Sequence, residues 1–171
     1  MMKYIISIIA AVTLTGCAST GISGADAQLK SGNISIPANS VVCVIYPSDG
    51  QFDGVTYESS GEKVGQIVLK SIPKKYNPAV VSSKESCKSN YFLVTEILEY
   101  EDRATGWSGK PDRIKVKLTA TNSKNDELST FTYDADTNVA ASAFLEWGNS
   151  APYKLLGSKF TKQVVNLLSS K

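Results

Sequence analysis

Hydrophobic positions in the first half of the chain predict two strands separated by a helix. Residues 41–46 (VVCVIY) form a continuous apolar and β-branched run, which is typical of a strand buried on both faces. A helix is expected to begin at Ser59, since Ser59 and Glu62 have the spacing of a capping box, and to end before Pro73. Residues 79–81 form a short second strand. Strand, helix and strand in this order predict a βαβ unit with a parallel strand pair.

The second half of the chain contains strand patterns followed by a helix pattern. Residues 91–101 begin as an apolar run and then alternate, whereas residues 113–121 alternate cleanly, as in a one-sided antiparallel strand. A polar turn at 122–126 leads to a hairpin partner at 128–133, and residues 153–168 have a helical apolar stripe. The whole pattern predicts an α+β two-layer sandwich. It has one mixed sheet of about five strands, which starts with the βαβ unit and continues with the hairpin, and two main helices.

The start of the chain has the pattern of a cleaved secretory signal. Lys3 precedes an apolar run from Tyr4 to Leu14, and this run is too short for a membrane span, which needs about 20 residues. Residues 14–17 (LTGC) resemble the bacterial lipobox, in which the cysteine is acylated and the chain is cut before it. The resemblance implies that Cys17 is the lipidated first residue of the mature protein. The alternative is an ordinary signal peptide with an incidental cysteine.

These signals predict three parts of the chain. Residues 1–16 are a lipoprotein signal peptide, residues 17–30 are the lipidated cysteine with a flexible polar tether, and residues 31–171 are a single periplasmic domain. Ala18 stands where an aspartate would resemble an inner-membrane retention signal. We therefore expect a lipid anchor in the outer membrane, with the domain facing the periplasm.

Composition narrows the classes of function. The 171 residues contain 18 Lys plus Arg against 16 Asp plus Glu, so strong binding to nucleic acid is not expected. The chain has no histidine, which excludes a Ser-His-Asp or Cys-His nucleophile and a histidine-ligated zinc. We expect a non-catalytic protein without a cofactor or metal.

Two cysteines remain once Cys17 is lipidated. In an oxidising periplasm, Cys43 and Cys87 most simply form one disulfide. The alternative is a pair of separate thiols, with Cys43 as a small core residue.

The loop between the first strand and the helix is a candidate ligand site. Its candidate residues are Asp49, Asp53, Ser59 and Ser60. Ligands tend to lie at the carboxyl ends of strands in open α/β sheets, and a helix N-terminus offers free amides to an anion. A glycan or a small anion could bind there, whereas Asp-Gly pairs are also ordinary turn residues.

A group of acidic residues at the end of the long strand has two interpretations. The group comprises Glu96, Glu99, Glu101 and Asp102. Two close carboxylates could serve a hydrolase such as a glycosidase. The simpler interpretation is cross-strand pairing with a lysine-rich neighbour that carries Lys110, Lys115 and Lys117.

The connection between the strands at 91–101 and 113–121 is the main candidate for partner binding. Its candidate residues are Asp102, Arg103, Trp107, Lys110, Asp112 and Arg113. Exposed tryptophan and arginine are common anchors in interfaces, and tryptophan can stack on sugar rings. Alternatively, Trp107 folds back to cap the sheet while the charged residues form a structural ion-pair network.

Residues 96–119 (EILEYEDRATGWSGKPDRIKVKLT) closely resemble the signature of an uncharacterised Gram-negative lipoprotein family, catalogued as domain of unknown function 4823. Its members share the lipobox, an early strand and a Tyr-x-x-Ser-Gly segment, which is residues 57–61 here. The family brings no known activity. More distantly, the arrangement resembles the periplasmic domains of envelope-assembly lipoproteins of the curli secretion and penicillin-binding-protein activator types. The resemblance implies an accessory lipoprotein that binds an envelope protein or cell-wall glycan.

Overall fold

The computed structural model describes residues 22–30, 36–102, 112–137 and 151–169, with the first of these ranges described as backbone only. The elements in these ranges are β1 (Ile22–Lys30), β2 (Val41–Ile45), β3 (Gln51–Phe52), β4 (Val55–Thr56), α1 (Ser60–Ser71), β5 (Asn77–Val81), β6 (Tyr91–Glu101), β7 (Arg113–Asn122), β8 (Glu127–Thr137) and α2 (Ser158–Ser169). Short 3₁₀ turns lie at Lys84–Ser86 and Pro152–Leu155.

One mixed sheet organises the fold. Its strand order is β1-β8-β7-β6-β2-β5, and β3 and β4 form a separate small hairpin. Strand β2 is parallel to both β5 and β6, whereas β6, β7, β8 and β1 pair antiparallel in turn. This arrangement confirms the predicted α+β class, the initial βαβ unit and the later hairpin. The sheet has six strands in the described ranges, one more than the pattern predicted.

The additional strand is β1, which lies in the segment expected to be a tether. It pairs antiparallel with β8, from Ile22 opposite Thr137 to Lys30 opposite Thr130. The expectation of a flexible tether over residues 17–30 is therefore wrong for residues 22–30. Small polar residues favour a linker locally, but β8 offers a full row of backbone donors and acceptors, and pairing with them outweighs weak strand propensity.

The core lies between the sheet and the two helices. The inward residues of β7 are buried at every second position, as the alternating pattern predicted: Ile114, Val116, Leu118 and Ala120. Phe160 of α2 is fully buried, with its ring edge-to-face against Phe131 (5.8 Å) and Tyr133 (5.3 Å) of β8. Val64 and Val68 of α1 belong to the same cluster. Both helices therefore cover one face of the sheet.

Helix α1 approaches the end of β2 closely because two of its residues lack side chains. A Cβ atom at Gly65 would lie 2.3 Å from the ring of Tyr46, and one at Gly61 would lie 2.3 Å from the carbonyl oxygen of Pro47. Any larger residue at these positions would push the helix away from the strand. Within the described ranges, neither helix is long and apolar enough to cross a membrane.

Candidate functional site

The predicted disulfide is present and lies on the sheet face that the helices leave uncovered. Cys43 of β2 is bonded to Cys87, with their Cα atoms 6.3 Å apart. Its neighbours Val42 and Val44 belong to the core under the helices, so Cys43 points to the opposite face. The connection that brings Cys87 to it, residues 82–90, must therefore cross the sheet on that face. We call these residues the crossover.

Hydrogen bonds fix the crossover along its length. Ser83 and Ser86 bond reciprocally at the 3₁₀ turn. The Lys84 ammonium donates to Oδ1 of Asn125 at 2.7 Å and lies 5.7 Å from the centre of the Phe92 ring. The Ser89 hydroxyl donates to the carbonyl of Val41. The crossover is thus attached to β2, to β6 and to the β7–β8 turn.

A groove of about 400 Å³ lies beside the crossover, at the β5 edge of the sheet. Its floor includes Val41, Cys43, Ala79 and Val81, and residues 86–91 line its side. Val41 is 43% exposed. The groove is therefore lined largely by small and apolar residues, and one of the valines on its floor is open to solvent.

The strand-to-helix loop is closed by one of its own residues. The Asp49 carboxylate accepts hydrogen bonds from the backbone amides of Gly61 (2.7 Å) and Ser59 (3.1 Å), and Ser60 Oγ lies 3.5 Å from it. Ser60 Oγ in turn accepts from the amide of Gly50 at 2.8 Å. Asp49, and not Ser59, is thus the side chain that caps α1.

These contacts correct the expectation for the start of the helix. Ser59 makes no capping bond with its side chain and has a φ of 62°, so the predicted capping box does not form. The Asp49 carboxylate occupies the amides of Ser59 and Gly61, two of the donors that a bound anion would use at this helix start. Asp53 has a φ of 51° and precedes Gly54 at 76° in the β3–β4 turn, as a tight hairpin turn requires.

Among the acidic residues of β6, Glu99 forms ion pairs on the sheet face opposite the helices, which agrees for this residue with the simpler interpretation. Glu99 lies 3.2 Å from Lys115 and 3.3 Å from Arg113. Glu96 is opposite Lys117 in the β6–β7 register, and Glu101 is opposite Arg113. These acids therefore follow one another along a strand beside basic partners, and Lys110 lies outside the described residues.

Asp134 completes this network, although the sequence pattern did not single it out. Arg113 donates two hydrogen bonds to its carboxylate, at 2.6 and 3.0 Å, and Lys115 lies 3.6 Å away. The hydrogen bond from Arg113 lowers the pKa of Asp134, and the same bond raises the pKa of Arg113. A sequence signal for this pairing was present. The lysines at alternate positions of β7 face the same side as an acidic residue of β8, its partner in the hairpin.

Of the six residues proposed for partner binding, three lie outside the described residues: Arg103, Trp107 and Lys110. Asp112 is only 5% exposed, and its backbone bonds to both the amide and the hydroxyl of Thr137, at 2.9 Å each. Asp112 is therefore a buried anchor for the connection and does not fit the role of a surface contact. Arg113 is engaged in the ion-pair network.

Aromatic residues support the other end of this connection. The rings of Tyr57 and Tyr100 are 5.3 Å apart, and the Tyr57 hydroxyl lies 3.5 Å from the carbonyl oxygen of half-buried Asp102. Burial raises the pKa of Tyr100 well above its ordinary range. A Cβ atom at Gly50 would lie 2.4 Å from the Tyr100 ring, so the loop before α1 packs directly on this strand. The described residues contain no group of three His, Cys, Asp or Glu that could hold a metal.

Comparison with known proteins identifies the fold. No family model matches the chain, and no curated protein matches it in sequence. A structure of a single-substitution variant of the PelC dodecamer from Paraburkholderia phytofirmans is similar, with a TM-score of 0.58 and 11% identity, covering 86% of this chain and 100% of that one. The chain shares the fold of PelC.

Two further solved structures resemble the chain. A second PelC dodecamer structure from the same organism has a TM-score of 0.52 and 11% identity, and covers 78% of this chain and 95% of that one. Protein XCC0632 from Xanthomonas campestris, of family DUF330, has a TM-score of 0.46 and 18% identity, with coverages of 80% and 86%. At this identity the PelC structures establish the fold alone.

Proposed function

We propose that this chain is a non-catalytic, outer-membrane-anchored lipoprotein whose periplasmic domain is a building block of an envelope assembly. The observation that carries the proposal is the likeness to PelC, because both PelC structures are dodecamers and one is matched over its whole length. A fold that forms a twelve-subunit assembly in one protein is a reasonable basis for expecting self-assembly here.

The lipid anchor is supported by the lipobox-like residues 14–17 and the apolar run before them. Strand β1 begins at Ile22, five residues after Cys17. A fully extended chain spans about 3.5 Å per residue, so those five residues reach roughly 18 Å at most. Lipidation at Cys17 would therefore hold the folded domain close to the membrane surface.

A non-catalytic role is supported by the contacts of three carboxylates, one of which, Glu99, was a candidate hydrolase residue. Glu99 and Asp134 are neutralised by Arg113 and Lys115, and Asp49 caps a helix. Each of these carboxylates has a structural partner, whereas a catalytic acid and base must be free to exchange protons with substrate.

The connection between β6 and β7 remains our candidate for contact with an envelope protein or a cell-wall glycan. Its ends are anchored through Asp102 and Asp112, which leaves Arg103, Trp107 and Lys110 as the residues to test. Replacing Arg103 and Trp107 together by alanine should change the in-cell cross-linking pattern. An unchanged pattern and envelope phenotype would exclude this connection as the contact.

Self-assembly is tested by measuring the mass of the full mature lipoprotein in mild detergent, by light scattering after size exclusion and by native mass spectrometry. We expect oligomers larger than a dimer at micromolar concentration. A monomer at every concentration tested would contradict the building-block proposal.

Anchoring is tested separately with Cys17→Ser. We expect this variant to lose acyl labelling and to leave the outer-membrane fraction, while Ser19→Ala behaves as the wild type. Acyl labelling that persists in Cys17→Ser would contradict the assignment of the lipid to that residue.

A further inference from the structure

Strand β5 is the last strand on its side of the sheet, and among the described residues none pairs with its outer edge. In the described part of the chain it pairs only with β2. Natural proteins protect such edges with charged side chains, proline or a covering segment, because unpaired amides and carbonyls can join another strand. Here Pro78 lies near the start of β5, but Ala79, Val80 and Val81 follow it without any charge.

Both faces of this edge present apolar surface. Val80 is 49% exposed and lies in register with Val44, on the helix side of the sheet. On the other side lie exposed Val41 and the groove beside the crossover, whose floor includes Ala79 and Val81. A strand added to this edge would gain main-chain hydrogen bonds and would cover apolar side chains on both faces. These are the features of recognition by strand addition.

The opposite border of the sheet offers a matching edge. Strand β1 pairs with β8 on one side, and none of the described residues pairs with its other side. The two borders differ in charge. Residues 73–90 around β5 contain four lysines and one glutamate, whereas β1 contains one aspartate and one lysine and is neutral overall. Contact of β5 with itself would bring two basic borders together, so the charges favour contact of β5 with the neutral border of β1.

We propose that the β5 edge of one copy pairs with the β1 edge of the next copy, so that the sheets continue from subunit to subunit. The proposal rests on the self-assembly proposed above and names its interface. The contact is head-to-tail, so each copy uses each edge once, and repeated contacts of this kind form a ring where the rotation between copies closes and a filament where it does not. Pairing of β5 with itself would be isologous and would stop at a dimer.

The test compares two charge substitutions at equally exposed aliphatic residues. Val80→Lys places a charge on the β5 edge, whereas Leu98→Lys places the same charge at a residue of β6 that is 48% exposed. We expect Val80→Lys to raise the subunit dissociation constant at least tenfold and Leu98→Lys to leave it within twofold of the wild type. Thermal melting of both variants should match the wild-type monomer, because neither side chain is buried.

Hydrogen exchange then identifies the paired strands. In the assembled wild type, the backbone amides of residues 77–81 and of residues 22–30 should both exchange more slowly than in dissociated Val80→Lys. If the wild type assembles and Val80→Lys assembles equally well, the edge contact is wrong while the building-block function stands. Assembly that stops at a dimer, with protection at 77–81 alone, would overturn the pairing with β1. A monomeric wild type would overturn the proposed function itself.

Discussion

The two faces of the sheet are stabilised by different kinds of interaction. On the helix side, α1 and α2 bury aliphatic and aromatic side chains, among them Val68 and Phe160. On the opposite side, the crossover is bonded through Cys87 to β2, and a network of ion pairs around Arg113 lies over β6, β7 and β8. The same strands supply both faces, since their residues alternate between them.

This difference determines which conditions each face responds to. Burial of apolar surface does not depend on pH or on redox state, so the helix-covered face should set most of the stability. A disulfide depends on the redox environment, and exposed ion pairs depend on pH and salt. The stability of the uncovered face should therefore vary with redox state, pH and salt. The groove beside the crossover lies on this face.

The largest effect is expected on the helix-covered face. Phe160→Ala removes a fully buried ring that contacts Phe131 and Tyr133, and such a change typically costs about 3–5 kcal/mol. Urea denaturation should show this loss, whereas Leu98→Ala, at an exposed position on the other face, should change stability by about 0.5 kcal/mol or less. A loss below about 1 kcal/mol for Phe160→Ala would mean that α2 contributes little to the core.

The second-largest effect is expected from removing the disulfide on the uncovered face. Replacing Cys43 and Cys87 together by alanine should cost about 2–4 kcal/mol, because the bridge restricts the unfolded chain between positions 44 residues apart. A reducing agent should lower the wild type to the level of this variant and leave the variant unchanged. Two free thiols per chain in denatured, unreduced mature protein would show that the bond is absent.

The two changes also test whether the faces are independent. Distant sites without shared partners usually have additive effects on stability, within about 0.5 kcal/mol. Phe160→Ala should therefore cost the same in oxidised and in reduced protein. A cost that depends on the redox state would show that the crossover and the helices stabilise each other through the sheet.

Local patterns were sufficient to predict most of the fold. The apolar run of β2, the stripe of α1 and the alternation of β7 are each contained in a short stretch, and each directly reports which residues face the core. Strand β1 could not be predicted in this way. Its residues 22–30 are mostly small or polar, and they form a strand because the edge of β8, at least 100 residues away, pairs with them.

The candidate site shows the same limit. Two cysteines in one small domain were enough to predict the disulfide. Ser59 and Glu62 matched a capping box, yet a carboxylate ten residues before Ser59 took that place, because the loop returns Asp49 to the helix start. Asp134 became visible only when the hairpin register set it opposite basic residues of β7. The spacing of nearby residues could not predict these contacts, because each depends on how the fold brings separate segments of the chain together.

The smallest effect concerns the ion pairs of the uncovered face. Asp134→Asn keeps the shape of the side chain but removes the charge that Arg113 and Lys115 contact, and at this partly exposed position we expect a loss of about 1 kcal/mol or less. Asp53→Asn is the matched control, since Asp53 lies exposed in a turn and asparagine accepts its positive φ. It should change stability hardly at all.

The pH dependence of this loss follows from the lowered pKa of Asp134. A group with a lower pKa in the folded state stabilises fully above its unfolded pKa, which is about 4 for aspartate, and loses that contribution as pH falls through its folded pKa. The difference between wild type and Asp134→Asn should therefore be constant from pH 5 to 7, as judged by urea midpoints, and should shrink below about pH 4. It should also shrink in 1 M salt, because the pairs are partly exposed. A difference that persists unchanged at pH 2 would mean that hydrogen-bond geometry, which asparagine cannot reproduce, matters more here than charge. The uncovered face would then be less sensitive to pH than its ion pairs suggest, and the two faces would differ less than their composition indicates.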